Sequence, residues 1–162
     1  MDTDRAKFQK VAQFLAALAH GAEHNIGPAA NSICFLAGKR MARAAVQATR
    51  STTDPVEALE IMREALAASG ILWEGEAFQG ARENLVQIDG DVRRMRVVYQ
   101  TCTVRSTLFT YAREQKRSLC HMAHGIVAGA MEKVMNGAAV KMEILQACPE
   151  HCIKEMIWEI KK

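Results

Sequence analysis

Four cysteines stand in or near the last third of this 162-residue chain: Cys102, Cys120, Cys148 and Cys152. The run Cys148-Pro149-Glu150-His151-Cys152 sets two thiols across a short turn. Thiolates so spaced can grip one metal ion from two sides, and soft sulfur ligands suit zinc or an iron–sulfur cluster. The plain alternative is two unrelated buried cysteines, for which a turn containing proline is an odd setting. A CxxxC pair is a weaker signal than paired CxxC knuckles, so what precedes it matters. Ser118-Leu119-Cys120-His121 opens a helix containing Gly125 and Gly129, and a strand bearing Glu143 comes next, before the cysteine pair. The fifth cysteine, Cys34, lies inside an apolar helical run and reads as a small core residue.

That order of a helix-opening Cys, two helical glycines, a strand Glu and two cysteines before a last strand resembles the 4-vinyl reductase-like domain family. The family is a relative of the fold used by small subunits of a vesicle-trafficking complex. The matching positions are Cys120, Gly125, Gly129, Glu143, Cys148 and Cys152, with Gly38, Gly70 and Trp73 fitting the earlier part. The resemblance runs from about Gly27 to Ile160, and only its C-terminal motif is specific. It implies a zinc site of Cys120, Glu143, Cys148 and Cys152 beneath a pocket for an aromatic ligand, as in phenol-sensing transcription activators. Similar domains occur in bacteriochlorophyll biosynthesis proteins and as stand-alone chains. The step from Glu143 to Cys148 is longer than the family pattern, and the loop between the last two cysteines is shorter and lacks a glycine. Cys102 and His151 are therefore alternates for the fourth ligand. An all-thiolate set of Cys102, Cys120, Cys148 and Cys152 would suit an iron–sulfur cluster as well as zinc.

Three thiolates and a carboxylate around a divalent ion carry a charge of about −2, which needs nearby donors or cations when partly buried. Lys141, Lys154 and His151 are close enough in sequence to serve. Four protein ligands leave no open position for a reactive water, so such a metal would be structural. His20 and His24 share a helical face but lack the Glu of a metalloprotease motif and read as surface residues. His121 and His124 follow Cys120 on its helix, and a supporting role suits them better than catalysis. A thiolate–imidazole nucleophile of Cys120 and His124 has no visible orienting group. Trp73, Phe78, Tyr99, Phe109 and Tyr111 lie around the sheet and the segment before Cys120. Core packing is their default role; the resemblance makes them, with Met122 and His124, a pocket for an apolar or aromatic molecule.

Positioning these groups requires helices first and a sheet afterwards. Phe8, Val11, Phe14, Leu15 and Leu18 recur three and four residues apart, one apolar stripe ending near Gly21. Gly27-Pro28 breaks the chain and starts a second helix, whose buried side is expected to be Ile33, Leu36, Ala37, Met41 and Ala44. Its small residues, Gly38 and Ala42 among them, permit close packing. Thr53-Asp54-Pro55 starts a third helix that stops at Gly70. The period then becomes two. Strands are predicted from Ile71 to Phe78, from Asn84 to Ile88 and from Val92 to Tyr99, the last two joined at Asp89-Gly90. Helix resumes from Val104 to Tyr111 and from Ser118 to Met135, closed by Asn136-Gly137. Strands from Val140 to Leu145 and from Cys152 to Ile160 complete the chain, the last expected at an edge or half exposed. The fold class is therefore α/β in the α+β sense: N-terminal helices on an antiparallel sheet of four to five strands, with a long helix inserted near the C-terminus. Residues 1–26 read as an N-terminal helix and 27–162 as the core of a single domain, with the metal site at 120–152.

The basic residues slightly outnumber the acidic ones, 21 to 18, and are scattered rather than set in a stripe interleaved with aromatics, which argues against nucleic acid as a partner. Arg93, Arg94 and Arg96 read as the solvated end of a hairpin. No stretch approaches the roughly 20 apolar residues of a membrane span. An acidic N-terminus unlike a signal peptide, with an odd number of cysteines, points to the reducing cytoplasm. The functional expectation is a homodimeric binding or sensory module for a hydrophobic molecule, with structural zinc. The alternatives are an iron–sulfur protein or one of tetrapyrrole or other cofactor metabolism, and a purely structural assembly subunit.

Overall fold

The helical first half folds as three helices in the computed structural model, which describes residues 2–47, 50–71, 73–80, 84–100, 102, 117–147 and 151–160, the side chains of 2–9 and 12 excepted. Helix α1 is Asp2–Ile26, α2 is Ala29–Ala45 and α3 is Pro55–Ala68. α1 runs straight through Gly21 and ends at Gly27, whose φ of 57° only glycine adopts readily. α3 starts as Asp54-Pro55 predicts: the Asp54 carboxylate accepts from the backbone N–H groups of Val56 and Glu57 at 2.8 and 3.3 Å. Gly70, at φ 76°, stops it.

The second half supplies strands β1 (Gly75–Ala77), β2 (Val86–Asp89) and β3 (Val92–Tyr99), then helix α4 (Ser118–Val134), β4 (Val140–Ala147) and β5 (Cys152–Glu159). The described residues thus form four helices and an open antiparallel five-stranded sheet, a mixed α+β fold. Sheet order is β1-β3-β5-β4, and β2 pairs with the other half of the same edge of β3 that β1 uses. The expected helix from Val104 to Tyr111 lies outside the described residues. The Asp89-Gly90 hairpin forms, with Asp89 opposite Val92. Asn136 and Gly137 take φ of 53° and 83°, and the Gly137 N–H donates to the Glu132 carbonyl at 2.7 Å, capping α4 as that dipeptide predicts.

Two expectations are corrected. β5 is a central strand, paired with β3 along its whole length and with β4 on its other side, not an edge. Its acidic residue Glu155 is buried and holds Arg94 of β3 at 3.2 Å, so an ion pair lets a charged strand sit inside the sheet. Of the three hairpin arginines, Arg93 alone bonds the turn, donating to the Gly90 carbonyl.

α2, for its part, buries Ala30, Gly38 and Ala42, while Ile33, Leu36, Ala37, Met41 and Ala44 are exposed. The cause is α4. A Cβ added at Gly38 would strike the Met122 carbonyl, at Gly125 the Phe35 carbonyl and at Gly129 the Lys39 carbonyl, so the two backbones touch and only small residues fit between them. Glu132 of α4, buried in this seam, pairs with Lys39 at 2.7 Å and Arg43 at 3.7 Å.

α4 in turn covers one face of the sheet. Val127, Met131 and Val134 pack with Leu59, Met62 and Leu66 of α3 and with Met95, Val97, Met142 and Met156 of the strands. Each side chain of this size contributes about 1.5–3 kcal/mol when fully buried.

Candidate functional site

Tyr99 ends β3 and is paired on both sides, with Gly75 of β1 and with Cys152 of β5. Strand alternation puts Tyr99 on the core face with Val97 and Met95. Trp73, two residues before Gly75, folds back across β1. A Cβ at Gly75 would meet its ring at 2.5 Å, so the glycine is what admits the indole. The indole then meets the Tyr99 ring edge-on, centroids 5.2 Å apart at 89°.

From β5, Lys154 reaches the same place: its Nζ lies 4.5 Å from the centre of the Tyr99 ring, and the residue is only 3% exposed. From α4 come His121 and His124, their rings 5.6 Å apart. Trp73, Tyr99, Lys154, His124 and His121 therefore make one continuous cluster between the sheet and the start of α4.

Burial, then Lys154, then His121 push the His124 pKa down to about 3, so its imidazole is neutral at physiological pH. Burial and Lys154 also lower His121. Burial raises the Tyr99 phenol well above its ordinary value; the nearby Trp73 N–H works against this, and the Cys102 and Cys152 thiols add to it. The indole N–H falls short of hydrogen-bond geometry. Tyr99 Oη and His124 Nε2 are both buried with no hydrogen-bond partner among the described residues. One neutral hydroxyl and one neutral imidazole can each donate to or accept from a polar group placed between helix and sheet.

Cys102, Cys120 and Cys152 lie at this same end. Cys120 is half-buried in the first turn of α4, Cys152 is the buried first residue of β5, and Cys102 is half-buried three residues past β3. Cys148 is outside the described residues. Among those described, no three His, Cys, Asp or Glu side chains form a metal-binding group. The register sets Glu143 opposite Glu155, on the other face of the sheet from Cys152, and its carboxylate pairs with Lys141. His151 is half-buried beside Cys152.

Of the expected pocket residues, the structure brings together Trp73, Tyr99 and His124. Phe78 donates its N–H to Arg96, which puts its side chain on the opposite face from Tyr99. Met122 is half-buried with its carbonyl against Gly38. Phe109 and Tyr111 are outside the described residues. Gly75 belongs to no motif, and its only signal in the sequence is a glycine two residues after a tryptophan. Lys154, in sequence a counter-charge for metal, alternates with Cys152, Met156 and Trp158, which marks it as inward-facing.

No model of a known protein family matches the chain, and no curated protein does. A solved structure does: the crystal structure of the phenol-responsive sensory domain of the transcription activator PoxR with phenol. It is 16% identical, with a TM-score of 0.59, over 91% of this chain and 74% of that one. Likeness at that identity is likeness of fold. Among the described residues, no helix is long and apolar enough to cross a membrane.

Proposed function

We propose that this chain is a ligand-binding domain of the sensory kind, taking a small apolar or aromatic molecule between the start of α4 and the Tyr99 end of the sheet. The observation that carries this is the pair of buried, unpartnered atoms, Tyr99 Oη and His124 Nε2, beside the Trp73 ring. Leaving such a group buried and unmet costs about 1–3 kcal/mol, which a ligand's polar group would recover. The PoxR domain, whose structure holds phenol, shares the fold. The test is extraction of the purified native protein followed by mass spectrometry, with Tyr99→Phe, His124→Leu double-variant protein alongside. A small apolar compound released by the parent and not by the variant is expected; equal release, or none at any stage of purification, contradicts the reading.

The 4-vinyl reductase-like resemblance adds a structural zinc to this reading, held by Cys120, Cys148 and Cys152. Support comes from Cys120 and Cys152 lying at the same end of the sheet as Cys102. The fourth ligand in this reading is Glu143, with Cys102 and His151 as alternates; the Glu143 carboxylate pairs with Lys141 on the outer face. Closed tetrahedral coordination would pin the start of α4 to β5. Elemental analysis of the parent, Cys148→Ser and Cys152→Ser tests it: one zinc per chain is expected, lost in both variants. Iron with visible absorbance would favour the cluster alternative, and no metal at all would remove both.

A homodimer through α1 and α2 belongs to the same proposal. Phe14, Leu18, Ile33 and Leu36 are between 51% and 67% exposed, an apolar surface that a second copy would cover.

A further inference from the structure

Lys154 is the one member of the cluster that a neutral ligand would leave unsatisfied. Its ammonium is buried, and its position over the Tyr99 ring gives it only the weak negative face of a π system. A buried cation is retained when an anion faces it. Among the described residues, Glu155 is committed to Arg94 on the outer face, Glu143 to Lys141 and Glu132 to Lys39. Among the described residues no acidic group forms an ion pair with Lys154. The groups that do face it are His121 and His124 from α4, Tyr99 from β3 and Cys152 two residues back on its own face, with Cys102 beside Tyr99. The two imidazoles, whose protonation Lys154 disfavours, offer it no negative charge.

We infer that the ligand is a small organic acid, an apolar body bearing one carboxylate, with an oxygen on Lys154 Nζ and the same group within reach of Tyr99 Oη and His124 Nε2. This rests on the proposed ligand site and specifies the charge of what enters it. The arrangement suits a carboxylate chemically. The ammonium supplies the charge, the phenol O–H donates, and a neutral imidazole donates through Nε2 when its proton sits there. A neutral alcohol or phenol meets the hydroxyl and the imidazole but leaves the ammonium bare. The apolar remainder of the acid would lie against Trp73.

The experiment is calorimetric titration of the full chain at neutral pH with benzoate and with benzyl alcohol, molecules of nearly equal size that differ in charge. The parent is expected to bind benzoate about tenfold more tightly or better, since charged hydrogen bonds are roughly twice as strong as neutral ones. In Lys154→Met that preference should disappear or reverse. The variant should also melt higher than the parent without ligand, because an unpaired buried charge has been replaced by an apolar chain of similar length. Benzyl alcohol binding as tightly as benzoate overturns the inference while leaving the ligand site standing. A fall in the melting temperature of Lys154→Met, with ligand and metal both removed, also overturns it, since Lys154 would then be neutralised by the protein's own groups. If neither compound binds and Tyr99→Phe, His124→Leu protein extracts like the parent, the site itself fails with it.

Discussion

The Glu23 carboxylate, in the last turn of α1, accepts hydrogen bonds from both the backbone N–H and the hydroxyl of Ser118, the first residue of α4. Arg117 stands 3.7 Å from its other oxygen. α4 has no N-cap side chain of its own, so a distant acid does that work for it. Ser118 is fully buried, and Cys120 and His121 follow within the same turn. Glu23→Ala should therefore lower stability by about 1–3 kcal/mol in urea unfolding. It should also speed amide exchange at the start of α4 more than at its end. Uniform exchange along the helix would contradict the role given to Glu23.

Glycines in this chain divide by what surrounds them. Gly125→Ala adds a methyl group where the Phe35 carbonyl already sits and should destabilise by about 1–3 kcal/mol or more, despite alanine's better helix propensity. Gly21→Ala, on α1 with nothing within 4 Å, should stabilise by up to about 1 kcal/mol. Thermal unfolding of the two variants checks both signs at once.

Much of this was readable in the sequence. The Asp54-Pro55, Asp89-Gly90 and Asn136-Gly137 signals are local, acting through one cap or one turn, and each element they bound appears where expected. The face of α2 that packs was not readable from hydrophobicity, because the seam with α4 is chosen by backbone approach at Gly38, Gly125 and Gly129. There a missing side chain matters more than a large one. The central place of β5 was hidden because Glu155 looks solvent-facing until its partner Arg94 is known. At the site, Trp73, Tyr99 and His124 were legible as residue types. Their meeting depends on Gly75 and on the pairing of Tyr99 with Cys152, which is long-range and invisible to spacing.

His124 makes stability depend on pH with a determinate sign. Its folded pKa, about 3, lies below the ordinary 6.5, so between those values the unfolded chain binds a proton that the folded chain refuses. Stability is full above about pH 6.5 and falls as pH drops toward 3, by up to about 1.4 kcal/mol per unit from this group. His121 acts in the same direction. His124→Leu should flatten the profile of urea midpoints across this range. An unchanged slope would mean the imidazole is not buried neutral.

The exposed apolar residues of α1 and α2 predict self-association. The parent should sediment as a dimer at micromolar concentration, and Phe14→Glu with Leu18→Glu as a monomer with unchanged circular dichroism. A monomeric parent would contradict the proposed pairing. Both positions are exposed in the single chain, so the substitutions should leave its fold intact.

The most direct test of the ligand site is the imidazole of His124 itself, observed by side-chain nitrogen NMR during titration with a small aromatic compound. The account predicts a neutral ring before addition, and an Nε2 resonance that moves and saturates with the binding curve as its missing hydrogen bond is made. Binding that leaves this resonance where it was would contradict the claim that the buried, unpartnered nitrogen is waiting for a ligand.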